Sequence, residues 1–430
     1  MSALLSGSKR SGCRVESPHS CDAMLRSLIL TVSGRLSGCL HHGLIIALAA
    51  GLFGSWPASA IAQTSRAQVI AEDQKAKAAK LSPEGPSAGE KVLVVIMRSP
   101  LLGGRAGFYP WIARVYPGTG LGVGAGYHRQ LPHGGRVNAL AAGSFGDSFT
   151  LNAQARLPEI SRGLLAVTVD AGKLVAKGLK YYGRGPLTVK DKSLLYDLDL
   201  AEAGATAVLR PVRWFHLVGG YKWLTVDSRR PSSTFPDGPF NTSPGLKYNV
   251  VQAGAAVDWR TSPGYSTRGG LYRVTWSSYS ETQDRPFSFQ SIEYEAVQLL
   301  PLLREQFVLA VWGLATVSMT DSGNEVPFTL APTLGGTEML RGFNTRRFTD
   351  RNRLLLAAEY RWRPSRFLDL AVFFDAGKVA ARRTDLSLSH LETDWGIGAR
   401  LHGPTFTAVR VEVAKSREGW RLVIAAHQAF

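Results

Sequence analysis

Residues 353–363 read RLLLAAEYRWR, and apolar and charged side chains alternate along this stretch. One face is apolar and ends in two aromatic rings; its residues are Leu354, Leu356, Ala358, Tyr360 and Trp362. The opposite face carries charge; its charged residues are Arg353, Glu359, Arg361 and Arg363. A period of two is typical of a β-strand, whose successive side chains point to opposite faces of a sheet. The stretch therefore predicts a strand with one apolar face and one charged face.

The same alternation recurs at residues 250–260, where Val251, Val257 and Trp259 share the apolar face. A soluble sandwich with one wet face is one environment that fits such strands. A membrane barrel fits better, because the apolar faces often end in an aromatic ring while charges lie at mid-strand on the other face. Lipid requires apolar side chains, whereas a water-filled lumen accepts charge. The pattern favours a transmembrane antiparallel β-barrel, an all-β fold.

The composition agrees with many short strands and excludes several other classes. The chain has 430 residues, 45 glycines and 10% aromatic residues. Beyond the first 62 residues no run of about 18 apolar residues occurs, which argues against membrane-spanning helices. The formal charge of +17 fits either anionic lipid head groups or arginines in a lumen. No basic and aromatic module appears, so we expect no nucleic-acid partner.

Counting alternating segments gives sixteen strands. They lie near 107–115, 119–129, 135–144, 148–157, 163–172, 194–210, 213–227, 247–260, 268–280, 286–299, 303–318, 351–363, 366–377, 392–402, 405–415 and 419–430. The long connections, at 173–193, 228–246, 319–350 and 378–391, all follow odd-numbered strands. Outer-membrane barrels have long external loops and short periplasmic turns, so this asymmetry supports the count.

The N-terminal part reads as a leader and a tether. We predict a signal peptide over residues 1–62, with Met24 as a second candidate start and a small-residue cleavage site at Ala60–Ala62. The sequence around Cys39 also resembles a lipoprotein processing box, which is the weaker interpretation. Residues 63–106 are expected to be a periplasmic tether with little fixed structure, and residues 107–430 the barrel. All three cysteines fall in the leader, which excludes disulfides and cysteine-based metal sites from the barrel.

Residues 331–377 carry a set of motifs in a fixed order. Leu334-Gly335-Gly336 is followed by Arg341-Gly342-Phe343, then by LLLAAEYRW, and then by Phe373-Phe374-Asp375-Ala376-Gly377. This region resembles the bacterial surface antigen family, the barrel of the BamA/TamA superfamily of outer-membrane assembly and translocation proteins. The resemblance extends more loosely over 107–430.

The resemblance implies a long external loop that folds into the lumen. Arg341, with Gly342 and Phe343, would form the loop tip, and Glu359 and Asp375 would be the acidic residues that meet it. Gly377 completes the second strand motif. The alternation independently puts Glu359 on the polar face, and Asp375 also faces the lumen because Val372 and Phe374 face lipid. An arginine fork can bind a carboxylate through two hydrogen bonds, so we expect a structural latch.

The end of the chain carries a second signal. Leu422, Ile424, Ala426 and Phe430 are expected to share one face of the last strand. A terminal aromatic residue on such a strand resembles the β-signal that the outer-membrane assembly machinery reads.

The resemblance implies insertion or assembly of outer-membrane proteins, or polypeptide translocation, through a seam between the first and last strands. The family's best-known members carry POTRA domains, and we expect no room for one here, so a pore or structural protein without insertase activity is the alternative. Expected partners are outer-membrane lipid and either client polypeptides or a separate POTRA-bearing periplasmic protein. We expect no enzyme, cofactor or metal site, since the histidines lack ligand spacing and no GxSxG motif occurs.

Overall fold

The computed structural model describes residues 70–76, 106–161, 163–229, 245–303, 305–403, 405–426 and 429–430. The chain divides into two units, residues 1–84 and 85–430, and the described part of the first unit is a helical segment at 70–76. The predicted leader and most of the predicted tether lie outside the described residues. Over the described ranges, no helix has both the length and the apolar character that crossing a bilayer requires.

The second unit is an all-β barrel wall built from one antiparallel sheet of sixteen strands. Eighteen strands occur within the described ranges, because two short ones, β12 and β13, pair within a loop. They are β1 (Gly107–Arg114), β2 (Leu121–Gln130), β3 (Arg136–Ser144), β4 (Phe149–Arg156), β5 (Leu165–Tyr181), β6 (Leu194–Val212), β7 (Phe215–Arg229), β8 (Leu246–Asp258), β9 (Gly269–Glu281), β10 (Phe289–Leu302), β11 (Phe307–Met319), β12 (Thr333–Leu334), β13 (Phe348–Thr349), β14 (Asn352–Ser365), β15 (Leu368–Ala380), β16 (Glu392–His402), β17 (Thr407–Ser416) and β18 (Gly419–Ala425).

The predicted number of strands is confirmed, and each strand pairs with the next one along the wall. The ends of some strands differ from the prediction. β5 was expected to end at residue 172 but continues to Tyr181, because a bulge between Ala176 and Leu179 lets it keep its pairing with β6. The last strand was expected to reach residue 430 but ends at Ala425.

The two faces of the sheet differ as the alternation predicts. Val372 and Phe374 on β15 are about half exposed and point outward, whereas Phe373 and Asp375 between them are buried. The outward side chains form the apolar belt that lipid requires, and the inward ones line the lumen. The lumen contains arginines and carboxylates as well as apolar residues.

The ladder is continuous from β1 to β11 and from β14 to β18, and β11 pairs with β14. β1 and β18 are the two edges of the sheet, and within the described residues no ladder joins them. We call the line between these two edges the seam.

The lumen is occupied by the inserted loop, residues 320–351, which connects β11 to β14. Its first part, with Val326 and Phe328, packs in an apolar cluster against Tyr196 and Tyr248 of the β5–β8 wall. Its later part packs against β10, β11, β14 and β15 through buried apolar side chains, namely Leu334, Leu340, Phe343 and Phe348. Burying each such side chain contributes about 1.5–3 kcal/mol, so apolar packing is a main reason that this loop stays inside the barrel.

The connection between β8 and β9 occupies the other end of the lumen. A bridge pairs its Gly264 with Phe406, in the turn between β16 and β17. Tyr265 is buried, donates a hydrogen bond to Asp369 (2.9 Å) and stacks on the His402 ring at 3.7 Å between centroids. This end has the short turns, so it corresponds to the periplasmic side of an outer-membrane barrel.

Candidate functional site

The tip of the inserted loop is a tight turn held by a small hairpin. β12 pairs with β13 at the base, and the Phe343 N–H donates to the Leu340 carbonyl (3.0 Å) at the tip. Leu340 has φ of +48°, a left-handed conformation that costs a residue other than glycine about 1–2 kcal/mol. Its side chain is fully buried, and this packing compensates for the backbone strain. The turn points Arg341 into the wall of the barrel.

Arg341 is fully buried and bonds carboxylates from three different strands. Its Nε and Nη2 donate to the two oxygens of Asp375 on β15, at 2.9 and 2.8 Å. Its Nη1 donates to Glu359 on β14 and to Glu412 on β17, both at 3.0 Å. The guanidinium also lies 3.5 Å above the ring centroid of Phe373, in cation–π geometry. The predicted fork between Arg341 and a carboxylate is therefore present, with Asp375 as its bidentate partner.

Three further arginines surround the same carboxylates. Arg361 on β14 and Arg400 on β16 both donate to Glu359, at 2.5 Å each. Arg400 (2.9 Å) and Arg410 of β17 (2.9 Å) donate to Glu412. We call this set the latch cluster; its residues are Arg341, Glu359, Arg361, Asp375, Asp394, Arg400, Arg410 and Glu412. Asp394 lies opposite Asp375 in the ladder, but within the described residues neither of its carboxyl oxygens has a hydrogen-bond partner.

Close ion pairing matters because the cluster is buried. Moving each ion out of water costs several kcal/mol, and only close, hydrogen-bonded partners of opposite charge offset this desolvation energy. Loss of Arg341 leaves Asp375 without its arginine, at a cost of about 3–5 kcal/mol for breaking a buried pair, although water in a lumen lowers that cost. The cluster thus ties β14, β15, β16 and β17 to the loop tip.

Two of the predicted site residues, Gly342 and Gly377, have no space for a side chain. A Cβ on Gly342 would lie 2.7 Å from the Cβ of Asp394 and 2.9 Å from that of Ser416. Ser416 instead donates a hydrogen bond to the Gly342 carbonyl (2.9 Å). A Cβ on Gly377 would lie 2.8 Å from the backbone oxygen of Leu354. Both glycines therefore permit the close approach of backbone to wall that the site needs.

Phe343 completes the tip by packing rather than by charge. Its ring is fully buried and meets Phe348 edge-on, with 5.1 Å between centroids. This position agrees with the apolar contact expected beside the ion pairs.

A second set of contacts fixes the outer part of the inserted loop. Arg347 is buried, donates to Glu418 (2.7 Å), and holds the side-chain and backbone oxygens of Thr188, each at 2.6 Å. Thr188 belongs to the β5–β6 loop, residues 182–193, which thus lies against the inserted loop. Nearby, burial raises the pKa of the Asp350 carboxyl above its usual range, although the Arg351 N–H donates to it (2.8 Å).

The end of the chain differs from the prediction. Leu422 and Ile424 face outward as expected, but Ala426 lies beyond the strand, and Phe430 does not share their face. The Phe430 ring stacks on Trp312 at 5.3 Å and lies 5.7 Å from the Arg361 guanidinium, both of which face the lumen. The expected common face for these four residues is therefore wrong, because the strand ends at Ala425 and the Phe430 ring lies on the lumen side.

The structure brings together Arg341, Glu359 and Asp375, as predicted from the sequence. Five further members of the latch cluster were not predicted as site residues, namely Arg361, Asp394, Arg400, Arg410 and Glu412. The alternation offers a signal for Glu412, since Val411 and Val413 on either side face outward. It could not show which inward charges meet Arg341, because that depends on ladder register and on how deep the loop reaches. Over the described residues, no group of three or more His, Cys, Asp or Glu is placed to hold a metal ion.

Comparison with known proteins supports this description. Residues 247–419 match the Omp85 superfamily domain. BamA from Haemophilus ducreyi, in a crystal structure lacking POTRA domains 1–3, is similar over 75% of this chain and 68% of its own, with 15% identity and a TM-score of 0.54. CdiB from Acinetobacter baumannii is similar over 74% of this chain, with 11% identity and a TM-score of 0.48. This chain spans 58% of the length of that CdiB. A search of curated protein sequences found no match.

The Omp85 match includes the motifs at residues 331–377, so the family resemblance predicted from them is confirmed. The likeness to BamA confirms the fold, a sixteen-stranded outer-membrane barrel.

Proposed function

Residues 247–419 carry an Omp85 superfamily domain, and from this premise we propose that the chain inserts or translocates polypeptides at the outer membrane by opening its seam. The observation that carries the proposal is the pair of edges at the seam. Every other neighbouring pair of strands in the described wall is joined by a ladder, whereas β1 and β18 are not joined to each other.

An unpaired strand edge is a binding surface for another strand. Its row of free N–H and C=O groups accepts a strand by backbone hydrogen bonds, without a particular side-chain sequence. In a bilayer the free energy that favours this pairing is larger, because each unsatisfied backbone group in lipid costs several kcal/mol. A client strand at the seam satisfies these groups and can leave when its own barrel closes.

The seam strands have local features that keep their mutual pairing weak. β1 contains Pro110, which lacks an N–H and is tolerated only in edge strands or at bulges. β18 has 7 residues, whereas β14 has 14. The short β18 can form few ladder hydrogen bonds, and Pro110 of β1 lacks an N–H donor. Both features favour opening of the barrel at the seam over opening between other strands.

The latch cluster supports the proposal by stiffening the wall beside the seam. Arg341 connects β14, β15 and β17 through carboxylates, and Arg400 adds β16. A wall tied in this way moves as one body, so opening is confined to the line between β18 and β1. The action is conformational, and we propose no covalent catalysis.

The proposed partners follow from this mechanism. Outer-membrane lipid surrounds the apolar belt, and client polypeptides pair at the seam. A separate periplasmic protein with POTRA domains would deliver the clients. The proposed route to the membrane is secretion with the predicted leader of residues 1–62.

A cross-link across the seam tests the proposal. The three native cysteines are replaced by serine, and Ile112→Cys with Leu422→Cys is joined by a spacer-bearing bismaleimide. Both positions are outward and about 60% exposed. We expect the cross-link to abolish insertion of an unfolded outer-membrane barrel into vesicles that contain the purified chain, and reduction of a cleavable linker to restore it.

The matched control is Val413→Cys with Leu422→Cys, which share a ladder position on β17 and β18. This cross-link should leave insertion unchanged. If the seam cross-link also leaves insertion unchanged, opening of the seam is not the mechanism. Absence of insertion by the uncross-linked chain, together with a steady conductance, would favour the pore alternative.

A further inference from the structure

A small cavity lies at the long-loop end of the barrel, beside the seam. It has a volume of about 310 Å³ and is enclosed by the β1–β2 connection, the end of β5, the inserted loop and β18. Four cationic side chains line it: Arg114, Lys180, Arg346 and Arg421. None of the twelve described residues that form its lining carries a carboxylate.

We propose that this cavity binds a phosphate group. Arginine presents a planar fork that matches phosphate oxygens through paired hydrogen bonds, and lysine adds a point charge. A phosphomonoester carries a charge of about −1.5 to −2 near neutral pH, so one compact group can bind several cationic side chains at once. The cavity volume is at the small end of the range for ligand sites, about 300–1,000 Å³. The proposal does not depend on polypeptide insertion.

The four cationic side chains use only part of their hydrogen-bonding capacity within the described protein. One nitrogen of Arg421 donates to the carbonyls of Gly336 (2.6 Å) and Arg341 (2.8 Å), and Arg346 donates to the Tyr116 hydroxyl (3.0 Å). Carbonyls and a hydroxyl fix the position of these guanidinium groups without cancelling their charge. The side chains of Arg114 and Lys180 are exposed and make no hydrogen bond or ion pair with any other described residue.

Few carboxylates lie near the cavity, and each of them interacts with another group of the protein. Asp197 accepts a hydrogen bond from the backbone N–H of Gly178 (2.9 Å). Asp394, a member of the latch cluster, interacts electrostatically with Arg421. Glu418 is bound by Arg347. The four cations thus exceed the nearby acids, and a concave site with excess charge of one sign attracts ions of the other sign.

The phosphate could belong to a lipid head group or be free in solution, and the two sources are separable. The long-loop end faces the cell exterior, where head groups of the outer leaflet lie next to the wall. One experimental arm therefore titrates the purified full chain with inorganic phosphate and pyrophosphate. The other arm measures binding to nanodiscs that contain a phosphorylated glycolipid, against nanodiscs with the same glycolipid after dephosphorylation.

The variant is Arg114→Gln combined with Lys180→Gln, because neither side chain makes a hydrogen bond or ion pair within the described residues. The control is Arg383→Gln, an exposed cation in the β15–β16 loop. We expect the double variant to weaken phosphate binding by about tenfold or more and the control to leave it within about twofold, since tenfold corresponds to one or two lost hydrogen bonds to a charged group. Should the double variant misfold, Lys180→Gln alone serves, with a smaller expected loss.

Each outcome decides the matter. Loss in both arms, or in one arm alone, supports the site and identifies its source. Equal weakening by Arg383→Gln would mean nonspecific attraction and would overturn the proposal. Absence of binding in both arms would overturn it too, as would equal competition by an oligoglutamate peptide, because the cavity would then respond to charge and not to phosphate.

Discussion

At the scale of single residues, the hydrogen bonds of Arg341 explain why this position requires an arginine. Its bidentate bond to Asp375 uses Nε and Nη2, and its remaining terminal nitrogen reaches two other strands. A lysine has one ammonium and cannot present this planar fork. The neighbouring Gly342 has no space for a Cβ, so the tip sequence is constrained by both charge and volume.

We expect Arg341→Ala to lower barrel stability by about 3–5 kcal/mol at most, because it leaves the buried Asp375 carboxylate without its arginine. Arg341→Lys should recover only part of this loss. The measurement is the temperature at which the folded band disappears in heat-modifiability electrophoresis, combined with the insertion assay.

The control for this prediction is Arg382→Ala. The Arg382 side chain is 79% exposed and pairs with Asp385, so its removal should change stability by less than about 1 kcal/mol. If Arg341→Ala and Glu359→Ala both fold and function as the native chain does, the latch cluster has no structural role.

At the scale of elements, the inserted loop is held from two sides. Its tip is fixed by the latch cluster, and its outer part is fixed by the β5–β6 loop through Arg347 and Thr188. The Gly185 N–H also donates to the Thr349 carbonyl (2.9 Å), which joins the two loops by backbone. Loops tied by so few bonds open locally with a small free energy.

We expect Arg347→Ala to expose the β5–β6 loop. Loss of hydrogen bonds worth about 1.5–3 kcal/mol each when charged should speed trypsin cleavage at Lys190 and Lys192 by about tenfold or more. The rate is followed by mass spectrometry on the protein in vesicles, with Arg382→Ala as the matched substitution. Unchanged cleavage would show that Arg347 does not hold the loop.

At the scale of the whole molecule, the lumen is obstructed at both ends. The inserted loop lies at the long-loop end, and the β8–β9 connection with Tyr265 lies at the short-turn end. We therefore expect no open aqueous channel through the described part of the barrel.

We therefore expect the native chain to show low conductance in planar bilayers. Tyr265→Ala removes the ring that stacks on His402 and should raise the conductance, whereas Tyr360→Ala, on the outward face, should not. A large steady conductance from the native chain would contradict the obstructed lumen.

The sequence alone determined the strand pattern and the sides of the wall. Alternation with a period of two is a local property, so residues 353–363 were enough to place Glu359 inward and Tyr360 outward. The order of the motifs predicted the family resemblance and three members of the latch cluster, namely Arg341, Glu359 and Asp375. These inferences needed no knowledge of distances.

Only the tertiary structure decided the rest, because it depends on contacts between residues far apart in the chain. Register between neighbouring strands brought Glu412 and Arg400 to Arg341, and the depth of the loop selected them from the many inward charges. The inward turn of Phe430 follows from the end of β18 and from the rings available in the lumen, which local alternation cannot show. The basic cavity, likewise, collects Arg114, Lys180, Arg346 and Arg421 from four separate segments, and no local pattern marks them as neighbours.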